Sequence, residues 1–338
     1  MNILILSHSK SQSGGVERFS FYLQQTLQER GHTVKILGQE DLGVVAHGII
    51  AIKKRLGFGQ PALGYFLGRL AKKTGFDVCV TNGMLGWNIS NRPMINVQHG
   101  TFARAAVRID RQRSLLKYFI KRYVWGFFEG VAARRASRCV AVSQETKESV
   151  ETYYQVSDVA VILNSVDTEL FQVSDAPKKN QAVFVGRFEY AKGKEILEGM
   201  RQYLHAKGWD LAVPRGKSQE ELAVIYKESQ VFLLPSLHEG CSYALLDAMA
   251  CGLPFLASPV GLVPELEKAG QFKECIVHEQ TVAAYSQAFE NLMQKTEQEK
   301  ALLAAELRRY IITHHSLVSF GNAYEALVRE ITASHTMR

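Results

Sequence analysis

The sequence predicts an α/β fold of two domains, each built on a parallel sheet. Three observations carry this. A strand, a glycine loop, a helix and a second strand follow one another over residues 2–37, the opening of a βαβ unit. The same pattern restarts near residue 182. A length of 338 residues exceeds one ordinary domain of about 100–150 residues and suits two separate cores. With 46% hydrophobic residues, 22% charged residues and only 8 prolines, the composition excludes a disordered or fibrous chain.

In chain order, residues 2–7 (Asn2-Ile3-Leu4-Ile5-Leu6-Ser7) form an apolar run expected as a buried first strand and not a signal peptide. A helix over 16–30 and a strand over 33–37 follow. Further strands are expected at 77–80, 94–98 and 138–142, interleaved with helical segments. The second half offers a strand at 182–185, a helix over 194–206, an extended stretch at 210–213 and a strand at 231–234. The pattern is interrupted between 167 and 179, where Ser174, Asp175 and Pro177 mark a linker. The expected domains are therefore 1–168 and 169–316. A C-terminal helix within 317–338 carries Phe320, Tyr324, Leu327, Val328 and Ile331 at helical spacing, so it must dock, and the N-terminal domain is its expected partner.

No apolar stretch approaches the roughly 20 residues that span a bilayer, and the chain is expected in the cytoplasm. Its five cysteines (Cys79, Cys139, Cys241, Cys251, Cys275) are widely spaced with no C-x-x-C pair, which suits reduced structural thiols. The net charge of +7 is uneven. Residues 1–173 hold 22 Lys and Arg against 13 Asp and Glu, whereas 174–338 hold 18 against 20. Most of the excess lies in 104–138, where ten cations face only Asp110 and Glu129. There Leu116, Phe119, Ile120, Tyr123 and Phe127 form an apolar stripe, and Arg113, Lys117 and Lys121 a basic row, as in an amphipathic helix. Such a helix suits an anionic membrane surface, and equally a core-packed helix with a solvated face. No nucleic-acid-binding module is present, so nucleic acid is not an expected partner.

Three motifs carry chemistry. Gly14-Gly15 lie between the first strand and helix, where the backbone can approach a phosphate or sugar and the helix N-terminus supplies N–H groups. The G-x-G-x-x-G spacing of dinucleotide-binding enzymes is absent. In the second half, Val185-Gly186-Arg187 and Lys192-Gly193 put two cations in the loop after a strand, at the carboxyl end of a sheet, suited to a diphosphate. The run from Leu233 through Glu239-Gly240-Cys241-Ser242 to Asp247 and Gly252 reads as strand, glycine turn and helix. It places two carboxylates where sugar or ribose hydroxyls can donate to them.

Together with Gln98-His99-Gly100, Val142-Ser143 and Leu163-Asn164-Ser165-Val166-Asp167, these motifs resemble, in order and over nearly the whole chain, the retaining glycosyltransferases of family 4. The resemblance implies a GT-B fold, two Rossmann-like domains with parallel sheets facing a central cleft. It implies that Arg187 and Lys192 bind the donor diphosphate, that Glu239 binds sugar hydroxyls, that Asp247 holds the ribose and that His99 lies near the sugar. Gly14 and Gly15 would line the phosphates, with backbone N–H groups at Gly240, Cys241 and Ser242 adding to the site. The implied reaction moves a hexosyl group from a nucleotide diphosphate sugar, a UDP-sugar first, to a lipid-linked or cell-surface glycan such as lipopolysaccharide core. It proceeds with retention, without metal or cofactor, at the cytoplasmic membrane face. In the family's usual mechanism the departing diphosphate helps deprotonate the acceptor. Three features depart from the family pattern: Asp247 stands where a glutamate is usual, Asn164-Ser165 replaces Asn-Gly, and the stretch between Lys194 and Val231 is short. The first and third motivate an alternative, a catalytically silent GT-B protein that binds a sugar nucleotide or a partner.

Overall fold

The computed structural model describes residues 1–12, 14–174 and 177–336. Ser13 of the first glycine loop, and Asp175 and Ala176 of the expected linker, lie outside the described residues. The chain divides into two compact units, one comprising Met1–Asn164 and the segment from Leu317 onward, the other Ser165–Ser316. The second begins ahead of the expected boundary at 168 because Val166 bridges Ser316, its N–H donating to the His315 carbonyl at 2.9 Å.

The first unit is a six-stranded parallel sheet of β1 (Asn2–Leu6), β2 (Thr33–Leu37), β3 (Val78–Asn82), β4 (Met94–Gln98), β5 (Arg138–Ala141) and β6 (Val159–Val161), in the order β2-β1-β3-β4-β5-β6. Every residue of β3 and β4 is buried, as a sheet covered on both faces by helices requires. In register, Ile3 pairs with Val78, Cys79 with Met94 and Ile95 with Arg138. The polar residues of these strands, Thr81, Asn82, Asn96 and Gln98, lie at or toward their carboxyl ends. They are buried, and three of them are linked: Asn96 Nδ2 donates to Thr81 Oγ1 and the Gly83 carbonyl, and Gln98 Nε2 to Asn96 Oδ1. The C-terminal helix, Leu317–Thr336, packs on the helix Gly15–Gln28. Phe320 and Tyr324 stand edge-on to Phe19 at 5.6 and 5.7 Å, and Arg30 reaches Asn322 Oδ1 at 2.7 Å.

The second unit is a four-stranded parallel sheet of β7 (Gln181–Val183), β8 (Asp210–Ala212), β9 (Val231–Leu234) and β10 (Phe255–Ala257), ordered β10-β9-β7-β8. Only β8 intervenes in sequence between β7 and β9, so the short stretch noted above makes one edge strand. All five cysteines are buried, and none is in a disulfide.

The amphipathic helix expected on the stripe between Arg113 and Phe127 forms within a helical run from Leu115 to Arg135, but the run and the segment before it are not uniformly α-helical. Helical pieces at Phe102–Ala105, Leu115–Phe119 and Gly126–Arg135 are separated by wider π turns at Ala106–Asp110 and Ile120–Trp125 and by a turn at 111–113. Most of the local positive charge is also answered within the unit. Arg104 and Arg108 converge on Glu145 at 2.8 and 2.7 Å, Lys121 meets Asp110 at 2.6 Å, Arg134 and Arg135 donate to the carbonyls of Tyr154 and Trp87, and Arg138 joins Asp158 and Glu330. Arg111, Arg113 and Lys117 stand exposed. The apolar stripe faces outward: Leu116, Phe119, Tyr123 and Phe127 are each more than half exposed, and Ile120 alone packs inward, against Gly57. The core-packed reading of this stripe is thereby excluded.

Candidate functional site

At the carboxyl end of the second unit's sheet, three loops close on one another through glycines. The loop after β7 ends in a tight turn, Tyr190–Lys192, and Gly193 with φ +74°. A Cβ there would lie 2.1 Å from the Pro235 carbonyl oxygen in the loop after β9, so only glycine permits this approach. The Leu237 N–H donates to the Ala191 carbonyl at 2.9 Å and ties the same two loops. The loop after β10 adds Gly261 (φ +66°), where a Cβ would lie 2.7 Å from the Gly240 carbonyl oxygen. Sequence reasoning used Gly193 only as part of a motif and missed Gly261, which no local pattern marks.

This packing brings Lys192 and Glu239 together, Nζ to Oε1 at 2.7 Å, with side chains 22% and 10% exposed. A lysine ammonium has three donors, so Glu239 can orient Lys192 and still leave N–H bonds for a phosphate oxygen. Gly240, Cys241 and Ser242 lead into the helix Tyr243–Ala250, capped by Ser242 Oγ accepting from the Leu245 N–H. The first-turn amides of such a helix lack intrahelical partners and favour negative charge. Arg187 is not gathered into this group. Its side chain is 80% exposed and pairs with Glu189 at 3.0 Å, a neighbour that the cation motif alone did not flag. Asp247 lies well inside, 1% exposed. Burial, and then the Asp247 carboxylate, push the Cys251 thiol one turn further on up to about 12.

In the first unit, His99 follows β4 at the carboxyl end of that sheet. Its Nε2 lies 2.8 Å from Asn82 Oδ1. Asn82 Nδ2 donates to the Leu6 carbonyl and to Ser20 Oγ, which turns the amide oxygen toward the ring and assigns the proton to Nε2. Nδ1 is then the acceptor. Burial, with His8 nearby, holds the His99 pKa down to about 3, and Phe19 lies edge-on at 4.7 Å. The imidazole is therefore neutral near pH 7, fit to accept a hydrogen bond from a hydroxyl and unfit to act as a general acid. Gly14 and Gly15 open the helix Gly15–Gln28. A Cβ on Gly14 would meet Glu17 Oε2 at 2.1 Å, so the Glu17 carboxylate already sits over this helix N-terminus.

The loop carrying His99 is held from below by Glu129, a residue that sequence reasoning counted only as a charge. Its buried carboxylate accepts from the Phe102 N–H at 2.9 Å and from the Tyr154 hydroxyl. Burial raises its pKa from 4.5 to about 7. A carboxyl whose folded pKa lies above its unfolded value binds a proton on folding, so its contribution is lost as pH rises from about 4.5 through 7. Glu129→Gln keeps an acceptor without the charge. We expect it to gain up to about 3 kcal/mol relative to wild type between pH 5 and pH 8, measured by denaturant titration at both values.

Among the described residues, no cluster of three or more His, Cys, Asp or Glu is placed to hold a metal ion. Two family models match the chain, Glycosyltransferase Family 4 over residues 13–170 and Glycosyl transferases group 1 over residues 173–295. The MMP alpha-(1->4)-mannosyltransferase of Mycolicibacterium hassiacum is 28% identical over 250 residues, covering 61% of this chain and 59% of that protein. The chain thus aligns with under two thirds of that relative's length. The crystal structure of WaaG, a glycosyltransferase involved in lipopolysaccharide biosynthesis, superposes with a TM-score of 0.71 at 12% identity, covering 96% of this chain and 99% of WaaG. Anabaena HepE in complex with UDP-glucose gives 0.67 at 16% identity over 99% of this chain and 100% of HepE. With the two models spanning both sheet units and these folds beside it, the chain belongs to the GT-B glycosyltransferases of family 4.

Proposed function

We propose that this protein transfers a hexosyl unit from a nucleotide diphosphate sugar, a UDP-sugar first among them, to a lipid-linked or cell-surface glycan such as lipopolysaccharide core. The transfer retains the anomeric configuration and uses no metal. The observation that carries this reading is the Lys192–Glu239 pair beside the N-terminus of the helix Tyr243–Ala250. In a family whose members move sugars, that arrangement supplies what the reaction demands: positive potential where the diphosphate leaves, and a carboxylate for sugar hydroxyls. Arg187, exposed on its loop, would exchange Glu189 for the diphosphate. Asp247 would meet the ribose, the backbone at Gly240, Cys241 and Ser242 would add donors, and Gly14 and Gly15 would face the phosphates. His99 would accept a sugar hydroxyl through Nδ1. The departing phosphate oxygen would take the acceptor's proton. HepE binds UDP-glucose and WaaG serves lipopolysaccharide synthesis, which supports the donor class and the acceptor class in turn.

The outward-facing Leu116, Phe119, Tyr123 and Phe127, beside Arg111, Arg113 and Lys117, support docking on the anionic inner face of the cytoplasmic membrane. Each such cation contributes about 1 kcal/mol near the surface. No helix among the described residues is long and apolar enough to cross a membrane. The test uses α-configured UDP-hexoses with a lipid-linked glycan fraction and reads the product linkage by NMR. An α linkage formed in the presence of chelator supports the proposal; a β linkage, or strict dependence on added divalent metal, contradicts it.

A further inference from the structure

The exposed apolar face of the first unit continues onto a second element that the charge pattern did not reveal, the helix Val44–Arg55. Val44 is 89% and Ile52 63% exposed, Leu56 follows, and Lys53, Lys54 and Arg55 close its last turn. The two elements are joined. Trp125 Nε1 donates to the Gly57 carbonyl at 2.6 Å, and a Cβ on Gly57 would lie 3.0 Å from Ile120 Cδ1. Between this helix and the next, Gly59–Lys73, opens a groove of about 300 Å³ whose lining includes Ile49, Phe58, Tyr65, Trp87 and Phe128, with Lys53 its one charged residue. The walls are fixed: Trp87 Nε1 donates to the Pro61 carbonyl at 2.9 Å, and the Trp87 and Phe128 rings lie 4.7 Å apart. Trp87 belongs to the turn after β3, so the groove opens at the end of the sheet that also carries Asn82 and His99.

We propose that this groove holds the hydrocarbon chain of the acceptor, one acyl or prenyl chain, with its anionic headgroup on Lys53. The inference rests on the lipid-linked acceptor proposed above and names how its lipid is recognised. A glycan or peptide in the groove would need polar partners that its aromatic and aliphatic walls do not supply. A hydrocarbon chain needs none. The exposed cations that follow Lys53 in the last turn of the same helix, Lys54 and Arg55, complement a phosphate and not a neutral or cationic headgroup.

The chain has three tryptophans, and Trp125→Phe with Trp209→Phe leaves Trp87 as the only indole. Titrating this protein with dodecyl phosphate brominated at the chain end, below its micelle-forming concentration, should quench Trp87 saturably. Lys53→Glu should weaken the effect roughly tenfold or more, as losing one charge-assisted contact does. Ala62→Phe, which fills the groove, should abolish it, and Tyr65→Ala should weaken it if the filled variant does not fold. Absence of saturable quenching, or quenching indifferent to Lys53→Glu and to the groove variant that folds, overturns the proposal. Co-sedimentation with phosphatidylcholine vesicles containing about 30% phosphatidylglycerol, read in parallel, separates the two claims. Sedimentation without quenching removes the groove and leaves membrane docking standing. Quenching without sedimentation keeps the groove and counts against docking.

Discussion

Lys192→Ala is expected to lower kcat by about 10²–10³, the loss seen when one preorganised donor to a developing negative charge is removed, and to raise the donor KM. The variant also strands Glu239, whose side chain is only 10% exposed and has Lys192 as its ion-pair partner. Part of any effect could thus come from stability, since a buried carboxylate without its counter-charge destabilises the fold. Glu239→Gln in the same chain removes that charge. The double variant should recover melting temperature and not turnover, because the amide cannot replace an ammonium facing a leaving diphosphate. Steady-state kinetics and thermal melts of the single and double variants check this; turnover restored in the double variant would show that the lysine matters only to the fold.

Gly193→Ala should cost about 2–4 kcal/mol of stability, the largest structural effect expected of one methyl group in the second unit. Two penalties coincide at this position. The backbone sits at φ +74°, which costs an L side chain roughly 1–2 kcal/mol. The new Cβ would also lie 2.1 Å from the Pro235 carbonyl oxygen, main chain that cannot swing aside. Gly208 separates the penalties: its φ is +76°, with no atom within 4 Å of a Cβ. Gly208→Ala should therefore cost only about 1 kcal/mol. Urea midpoints of the two variants at unchanged slope measure the difference. Equal midpoints would mean that the loops after β7 and β9 are not pressed together as described.

The fold was legible where strands are long, apolar and bounded by turns. Residues 94–98 and 231–234 are strands with the expected limits, buried along their whole length as parallel strands covered on both faces are, and 33–37 is an edge strand whose burial alternates. β6 and β10, three residues each, escaped notice, and their place is set by pairing with Cys139 and Phe232 across the sheet. In the candidate site, Lys192 and Glu239 were legible from motifs 47 positions apart. Their direct contact was not, because it depends on the tertiary approach that Gly193 permits. The state of His99 was hidden for a similar reason: its proton is fixed by Asn82 on a neighbouring strand. In 104–138 the charge count overstated the free charge, since Glu145, Asp158 and Glu330, which answer three of those cations, lie outside the segment.

The most direct test of the central claim, a nucleotide diphosphate sugar held at Lys192, is a thermal-shift panel of UDP-, GDP- and ADP-sugars on wild type, Arg187→Ala and Lys192→Ala. A donor at about 100 times its dissociation constant adds roughly 2.7 kcal/mol to the stability of the protein that binds it. The account predicts a rise in melting temperature with one class of donor, UDP-sugars first, abolished in Lys192→Ala and reduced in Arg187→Ala. A shift of the same size in all three proteins, or none with any donor, would contradict it.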